Sequence, residues 1–208
     1  MTDNVAVVIG NGTSRKGYPL REMFGPDSGI TSYGCNAIYR EYPNFDFPTF
    51  VVAIDPGMIG ELFNSGIPIS RFIVPIPDDC WEPAELHHKI GYNAGMSGRP
   101  RSNAGINAVR EAIKNGANKL ICFGFDFLIA DREASTSNMF HGTPNYGKET
   151  RAIYEENIGR QRYIEWVAKT YPEVTLYMVY PDNCKTVYVF MPNIKTLTYT
   201  ELEKVFTR

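Results

Sequence analysis

The fold is decided by the stretch Val5–Arg15, which reads VAVVIGNGTSR. Five apolar residues in a row predict a buried strand, and the glycines Gly10 and Gly12 permit a sharp turn where that strand ends. Backbone N–H groups in such a turn can approach an anion without a Cβ atom in the way. The pattern lacks the Gly-Lys-Ser/Thr of the ATP-binding loop and the third glycine of the dinucleotide fingerprint. A phosphate cradle and a simple tight turn are both open on this motif alone.

Length and charge favour a protein of one domain that binds or converts small molecules. The chain has 208 residues and a formal net charge of −2, so we expect a single domain over residues 1–208. A near-neutral chain has no basic field to hold a nucleic acid duplex. We expect a cytoplasmic protein without a transmembrane segment, because no leader or long apolar run is present. Four cysteines without a Cys-x-x-Cys pair fit a reducing compartment.

Apolar runs that alternate with helical patterns predict an α/β fold, with a mostly parallel central sheet and helices on both faces. A capped helix is predicted from Ser102 or Asn103 to Gly116, and a second helix over 149–170. The sequence from Thr198 to Glu201 reads as a capping box that opens a C-terminal helix. The predicted strands are 4–9, 30–34, 49–54, 71–76, 119–125, 174–180 and 186–191.

Two long stretches without steady periodicity, 77–101 and 128–148, are candidate lids over an active site, because loops of this length in compact domains are usually functional. The aromatic-rich C-terminal part offers apolar surface for self-association. The residues proposed for that surface are Tyr180, Tyr188 and Phe190.

Six blocks in order resemble the bacterial sialyltransferases that decorate lipooligosaccharide, and the related motility-accessory-factor glycosyltransferases. The resemblance covers most of the chain and implies a single Rossmann-like domain with a flexible lid. It also implies a nucleotide-activated sugar as substrate, a saccharide or other hydroxyl acceptor, and no cofactor or metal. The blocks are VIGNGTS at 8–14, GCNAIY at 34–39, IDP at 54–56, NAG at 103–105, GANKLICFGFDF at 116–127 and YIEWVAKTY at 163–171.

The resemblance assigns donor-binding roles block by block. Asn36 matches the family's donor-contacting asparagine, whereas Asp55 stands where the family has asparagine and Ala104 where it has serine. Arg15 follows the glycine turn, where it is either a bidentate phosphate partner or a surface arginine. The residues assigned to the nucleotide donor are Gly10, Asn11, Gly12, Thr13, Ser14, Arg15, Asn36, Asp55, Ala104, Gly105, Gly124 and Asp126.

The catalytic residues are where the chain departs from the family. Glu155 stands at the place of the family's general-base histidine, and a carboxylate can do that work if burial raises its pKa. His141, in the preceding loop, is the other candidate base. Tyr146 and Tyr154 are candidates to neutralise the leaving phosphate, since hydrogen-bond donors replace a cation in metal-free transferases. An exposed charge and a solvated loop histidine are the alternative interpretations of Glu155 and His141.

The sequence therefore predicts a metal-independent glycosyltransferase that works by in-line displacement. One alternative is a nucleotide-binding module that lacks transferase activity. Another is a transferase of viral type that glycosylates nucleotides or DNA. No metal site is predicted, because the adjacent histidines His87 and His88 have no acidic or cysteine partner at helical spacing.

Overall fold

The computed structural model describes residues 3–75, 103–147 and 154–206, with only the backbone described at 154, 155 and 206. Seven strands form one sheet, and each neighbouring pair of strands is parallel. This confirms the predicted α/β class with a parallel sheet. The strands are β1 (Val5–Ile9), β2 (Thr31–Cys35), β3 (Phe50–Val52), β4 (Phe72–Ile73), β5 (Lys119–Phe123), β6 (Thr175–Tyr180) and β7 (Ile194–Thr198).

The strand order is β4-β3-β2-β1-β5-β6-β7, a Rossmann-like arrangement. The chain builds outward from β1 in one direction as far as β4 and then crosses to β5 on the other side of β1. Open α/β sheets bind ligands in the crevice at such a switch point, outside the carboxyl ends of the strands. The loops that leave β1 and β5 therefore define the first place to look for a site.

Helices cover both faces of the sheet, as predicted. The described helices are α1 (Leu20–Phe24), α2 (Pro56–Asn64), α3 (Ala104–Lys114), α4 (Arg132–Ser135), α5 (Tyr154–Thr170) and α6 (Tyr199–Phe206). Alternate residues of a strand point to opposite faces. Val7 and Ile9 accordingly pack in one buried cluster with α1, α2 and α6, whereas Ala6 and Val8 pack in another with α3 and α5.

Both predicted helix caps are confirmed. Asn103 is the N-cap of α3, and its Oδ1 accepts a hydrogen bond from the N–H of Ile106 at 3.1 Å. At the start of α6, the N–H of Thr198 donates to Glu201 at 2.7 Å, and the N–H of Glu201 donates to the Thr198 hydroxyl at 3.2 Å. The helix predicted over 149–170 is described from Tyr154 onward and runs without a break.

The prediction of a strand at 186–191 is wrong. Within that stretch Val187 makes a single antiparallel bridge, to Ile129, and the seventh strand is β7, immediately downstream. Asn193 marks its beginning, because its side-chain amide donates to the carbonyls of Ala168 and Val174, each at 2.9 Å. With Asn193 held in this way, pairing with β6 begins at Ile194, which lies downstream of the predicted stretch 186–191.

The surface proposed for self-association is corrected at one residue. Tyr180 is buried in β6 and donates to the Phe125 carbonyl at 2.9 Å, whereas Tyr188 and Phe190 are exposed and stacked on each other. The candidate lid at 77–101 lies outside the described residues. The other, at 128–148, is described as far as residue 147. Within the part of the chain that the structure describes, none of the helices has the length and apolarity to span a membrane.

Candidate functional site

Backbone contact between two glycine turns lies at the switch point, and we call it the floor of the candidate crevice. The N–H of Gly10 donates to the Phe123 carbonyl at 2.7 Å, and the N–H of Gly12 donates to the Gly124 carbonyl at 3.0 Å. A Cβ atom on Gly10 would lie 2.6 Å from the Gly124 oxygen, and one on Gly124 would lie 2.7 Å from the Gly10 oxygen. Gly124 also has a φ of +70°. The glycines therefore serve the approach of the loops after β1 and β5, and the N–H groups of Gly10 and Gly12 are engaged inside the protein.

Asp126 lies beneath the turn after β1 and braces it. Its carboxylate accepts from the N–H of Ser14 at 2.9 Å, from the Ser14 hydroxyl, and from the Ser137 hydroxyl at 3.3 Å. The side chain is buried, and this burial raises the pKa of the Asp126 carboxyl despite the hydrogen bonds from Ser14. Gly12 must stay without a side chain, because its Cβ atom would lie 2.2 Å from the Asp126 Cγ.

Arg15 is buried rather than on the surface, and only 3% of it is exposed. Its Nε donates to the Gly10 carbonyl at 2.7 Å, and its two terminal nitrogens donate to Glu41 at 2.9 and 2.5 Å. The two-pronged edge of the guanidinium, which suits a phosphate, is occupied by a carboxylate. Of the two interpretations left open by the sequence, the surface arginine is excluded, and phosphate pairing requires that Glu41 be displaced.

Three predicted residues converge above this floor. The Asn11 side-chain amide donates to the Tyr146 hydroxyl at 3.0 Å, and the Asn36 side chain acts on that hydroxyl to lower the pKa of Tyr146 against the larger, opposite effect of burial. Asn36 follows β2 directly and has a φ of 51°, a conformation that asparagine tolerates better than most residues. The Oδ1 atoms of Asn11 and Asn36 are buried, and neither has a hydrogen-bond partner within the described ranges.

The ends of β2 and β3 and the start of α3 complete this edge. Asp55 immediately precedes α2, and its charge acts on the Tyr146 hydroxyl and on the Cys35 thiol. Burial raises the pKa of Cys35 to about 12, so this residue stays a thiol. Ala104 packs with Cys35 and Ile54 in one small buried cluster, which brings the first turn of α3 to the same edge.

The segment 138–147, which we call the covering loop, is docked on the glycine turn. The N–H of Met139 donates to the Asn11 carbonyl at 2.8 Å. Arg40 donates to the Thr143 hydroxyl at 2.6 Å and to the Pro144 carbonyl at 2.8 Å. Glu61 forms an ion pair with Arg40 and accepts from the Asn145 amide at 2.6 Å. The Arg40–Glu61 pair thus fastens the covering loop to the protein beside β2 and α2.

The structure describes the side chain of one candidate base, His141, but not that of the other, Glu155. His141 belongs to the covering loop, where its backbone N–H donates to the Asn138 carbonyl at 3.2 Å. Its Nδ1 is buried and has no hydrogen-bond partner among the described residues. The side chains of Tyr154 and Glu155 lie outside the described part, and only their backbone in α5 is given. Of the two candidate bases, His141 is the one whose side chain is described, and it lies in the covering loop that is docked on Asn11.

Sequence reasoning missed the residues that hold this site together. Glu41, Arg40, Glu61 and Cys35 were not singled out, because each takes its role from a partner that is distant in the chain. Among the residues described, no group of three or more histidine, cysteine, aspartate or glutamate side chains could hold a metal ion.

Comparisons of the chain with protein-family models, curated proteins and solved structures found no match. The class that can be stated is therefore the one that the fold defines, an α/β protein with a Rossmann-like parallel sheet. Its candidate ligand crevice is the switch point between β1 and β5.

Proposed function

We propose that this protein is a metal-independent glycosyltransferase that uses a nucleotide-activated sugar. The observation that carries the proposal is the pair of buried amide oxygens of Asn11 and Asn36 at the switch point. A buried acceptor without a partner is costly, so native proteins seldom leave one unexplained. A ligand with hydroxyl or amino donors, such as the sugar or base of a nucleotide, would satisfy both oxygens. The family resemblance of the surrounding blocks supports the same ligand class.

The reaction is a single displacement at the anomeric carbon of the donor sugar. An acceptor hydroxyl loses its proton to a base and forms the new bond to that carbon, while the bond to the phosphate oxygen breaks and the nucleotide leaves. His141 is the better placed base, because it belongs to the covering loop that is docked on Asn11. Glu155 is the second candidate. Tyr154 would donate to the departing phosphate.

The donor site is tested by calorimetric titration with CMP, UMP and their nucleotide sugars. Asn36→Ala is expected to weaken binding about tenfold or more, because a hydrogen bond to a buried amide is lost. The matched control is Asn64→Ala, since Asn64 is exposed and its amide donates to the Gly60 carbonyl within α2. The proposal fails if none of these ligands binds at millimolar concentration, or if Asn36→Ala binds them as tightly as the wild type does.

A second candidate function is a nucleotide-binding module without transferase activity. The observation in its favour is that the chain departs from the resembled family at its catalytic histidine, where Glu155 stands, and at its serine, where Ala104 stands. The two functions differ in turnover of the donor. A His141→Ala/Glu155→Gln double variant abolishes transfer and donor hydrolysis if the protein is a transferase. Binding with no turnover in the wild type supports the module.

A further inference from the structure

We propose that Tyr146 is a positioning residue, whose hydroxyl fixes the amide of Asn11 so that its carbonyl oxygen faces the ligand beside the carbonyl oxygen of Asn36. This role differs from the one that the sequence predicts for Tyr146, which is donation to the leaving phosphate. The inference rests on the proposed function in one respect, namely that the two asparagines line the donor site.

The amide group of an asparagine can be held in one direction only by its partners. An asparagine side chain presents an NH₂ group on one side and an oxygen on the other, and the two can exchange by rotation of the amide. Asn11 donates through its NH₂ group to the Tyr146 hydroxyl at 3.0 Å. An NH₂ group that is held in this way fixes the direction of its oxygen. The phenol therefore directs the unpartnered oxygen of Asn11, and the unpartnered oxygen of Asn36 is buried at the same edge of the sheet.

The Tyr146 hydroxyl is itself held in place by its loop. The Tyr146 ring packs against the Phe140 ring, with 5.9 Å between the ring centroids. The covering loop that carries both rings is fastened to Asn11 through the N–H of Met139. Burial raises the pKa of Tyr146, so the phenol stays neutral and its oxygen keeps lone pairs for the amide donor.

This arrangement selects one class of ligand group. Two carbonyl oxygens, of which Tyr146 fixes that of Asn11, accept hydrogen bonds and donate none, so they match a group with hydroxyl donors. A fully ionised phosphate offers no donor and does not match. The sugar hydroxyls of a nucleotide sugar fit, and they belong either to the ribose or to the transferred sugar. We therefore assign these oxygens to a subsite that binds sugar hydroxyls, and Tyr146 orients its acceptor groups.

The test compares Tyr146→Phe with the wild type in titrations of CMP, UMP, their 2′,3′-dideoxy forms and the nucleotide sugars. Tyr146→Phe keeps the ring and removes the hydroxyl. If the ribose is the group bound, the wild type prefers ribonucleotides to dideoxynucleotides about tenfold, and Tyr146→Phe loses most of that preference. If the transferred sugar is bound, the preference that Tyr146→Phe loses is the one for nucleotide sugars over nucleoside monophosphates. Tyr188→Phe, the same change at an exposed tyrosine, should leave affinity and preference as they are.

An NMR measurement on the ligand-free protein tests the role of Tyr146 independently of the proposed function. The side-chain NH₂ protons of Asn11 are followed by NMR, and Tyr146→Phe should shift their resonances and speed their exchange with water. Unchanged NH₂ resonances in Tyr146→Phe, or wild-type affinity and preference in that variant, overturn the positioning role. A wild type that binds no nucleotide overturns the proposed function, while the NMR result still decides the role of Tyr146.

Discussion

Gly124 is the residue at which backbone shape matters most. It has a φ of +70°, and its Cβ position lies 2.7 Å from the Gly10 carbonyl oxygen and 3.1 Å from the Gly12 nitrogen. Gly124→Ala should lower the free energy of unfolding by about 2 kcal/mol or more, because a left-handed backbone and an overlap with backbone atoms both act against alanine. Urea denaturation measures the change.

A matched glycine gives the opposite expectation. Gly60 lies in α2, and nothing lies within 4 Å of the Cβ atom that alanine would add there. Gly60→Ala should therefore raise the free energy of unfolding by about 0.5–1 kcal/mol through helix propensity alone. Equal effects of Gly60→Ala and Gly124→Ala would contradict this account of the floor of the crevice.

Asp126 gives a pH-dependent prediction. Burial raises the pKa of its carboxyl in the folded protein, so the protonated form favours folding and the ionised form opposes it. Its contribution to stability is fully present below the pKa of the unfolded chain and is lost as the pH rises through the raised pKa. The free energy of unfolding of Asp126→Asn, relative to the wild type, should thus increase between about pH 3 and pH 7.

Thermal or urea unfolding at the two pH values measures this difference for Asp126→Asn. The exposed Asp27 supplies the control, and Asp27→Asn should change the free energy of unfolding by less than about 0.5 kcal/mol at either pH. A relative stability of Asp126→Asn that stays constant or falls with rising pH would show that the Ser14 hydrogen bonds outweigh the cost of burial.

Single residues also show where sequence reasoning stops. The glycines after β1 could be predicted, because an apolar run followed by Gly-x-Gly has a local physical meaning. The burial of Arg15 could not, because it depends on Glu41, which lies 26 positions further along the chain. Tyr146 could be named but its contacts could not, since the Asn11 amide that meets its hydroxyl is 135 positions away.

At the scale of elements, the Arg40–Glu61 pair decides how the covering loop is held. Glu61 accepts from Arg40, from the Tyr39 hydroxyl and from the Asn145 amide, so it joins the protein beside β2 and α2 to the loop. Glu61→Gln removes the charge and should weaken this junction by about 1–2 kcal/mol. Amide hydrogen exchange in residues 138–147 should then become faster, with little change in β1.

Asp46 offers a matched control for that experiment. It also pairs with an arginine, Arg21, but this pair is more exposed, and its described hydrogen bonds do not include the covering loop. Asp46→Asn should leave hydrogen exchange in residues 138–147 unchanged, because exposed ion pairs contribute little. The account of the Arg40–Glu61 pair is wrong if Glu61→Gln and Asp46→Asn have the same effect on the covering loop.

Elements were predictable where a local signal was strong. The caps of α3 and α6 each rest on residues three positions apart, so the sequence contains the whole interaction. The stretch 186–191 has the β-branched and aromatic residues that strands favour, yet the edge position beside β6 goes to the less apolar β7. Tertiary contacts made by Asn193 set that register, and composition does not report them. The helix α2 was not predicted, although Asp55-Pro56 is a recognisable helix start.

For the whole molecule, the alternation of strand and helix patterns was enough to predict the α/β class and the parallel sheet. The same pattern also predicts the place of the candidate crevice, because β1 carries the glycine turn and parallel strands end at one edge. The docking of the covering loop did not follow, since side chains and carbonyls from three separate parts of the chain fasten it. The general fold could therefore be predicted from the sequence, whereas the docking of the covering loop on the candidate site could not.

The contact between Gly10 and Gly124 also has a consequence for how this protein can change over generations. Each residue is in the way of a side chain on the other, since either Cβ atom would lie within 2.7 Å of the opposite carbonyl oxygen. A harmful substitution at one position is often rescued by a smaller residue at its neighbour, but here the neighbour is already the smallest residue. A substitution at either glycine therefore has no compensating change at the other. Descendants of this chain should keep both glycines and vary in the loops around them.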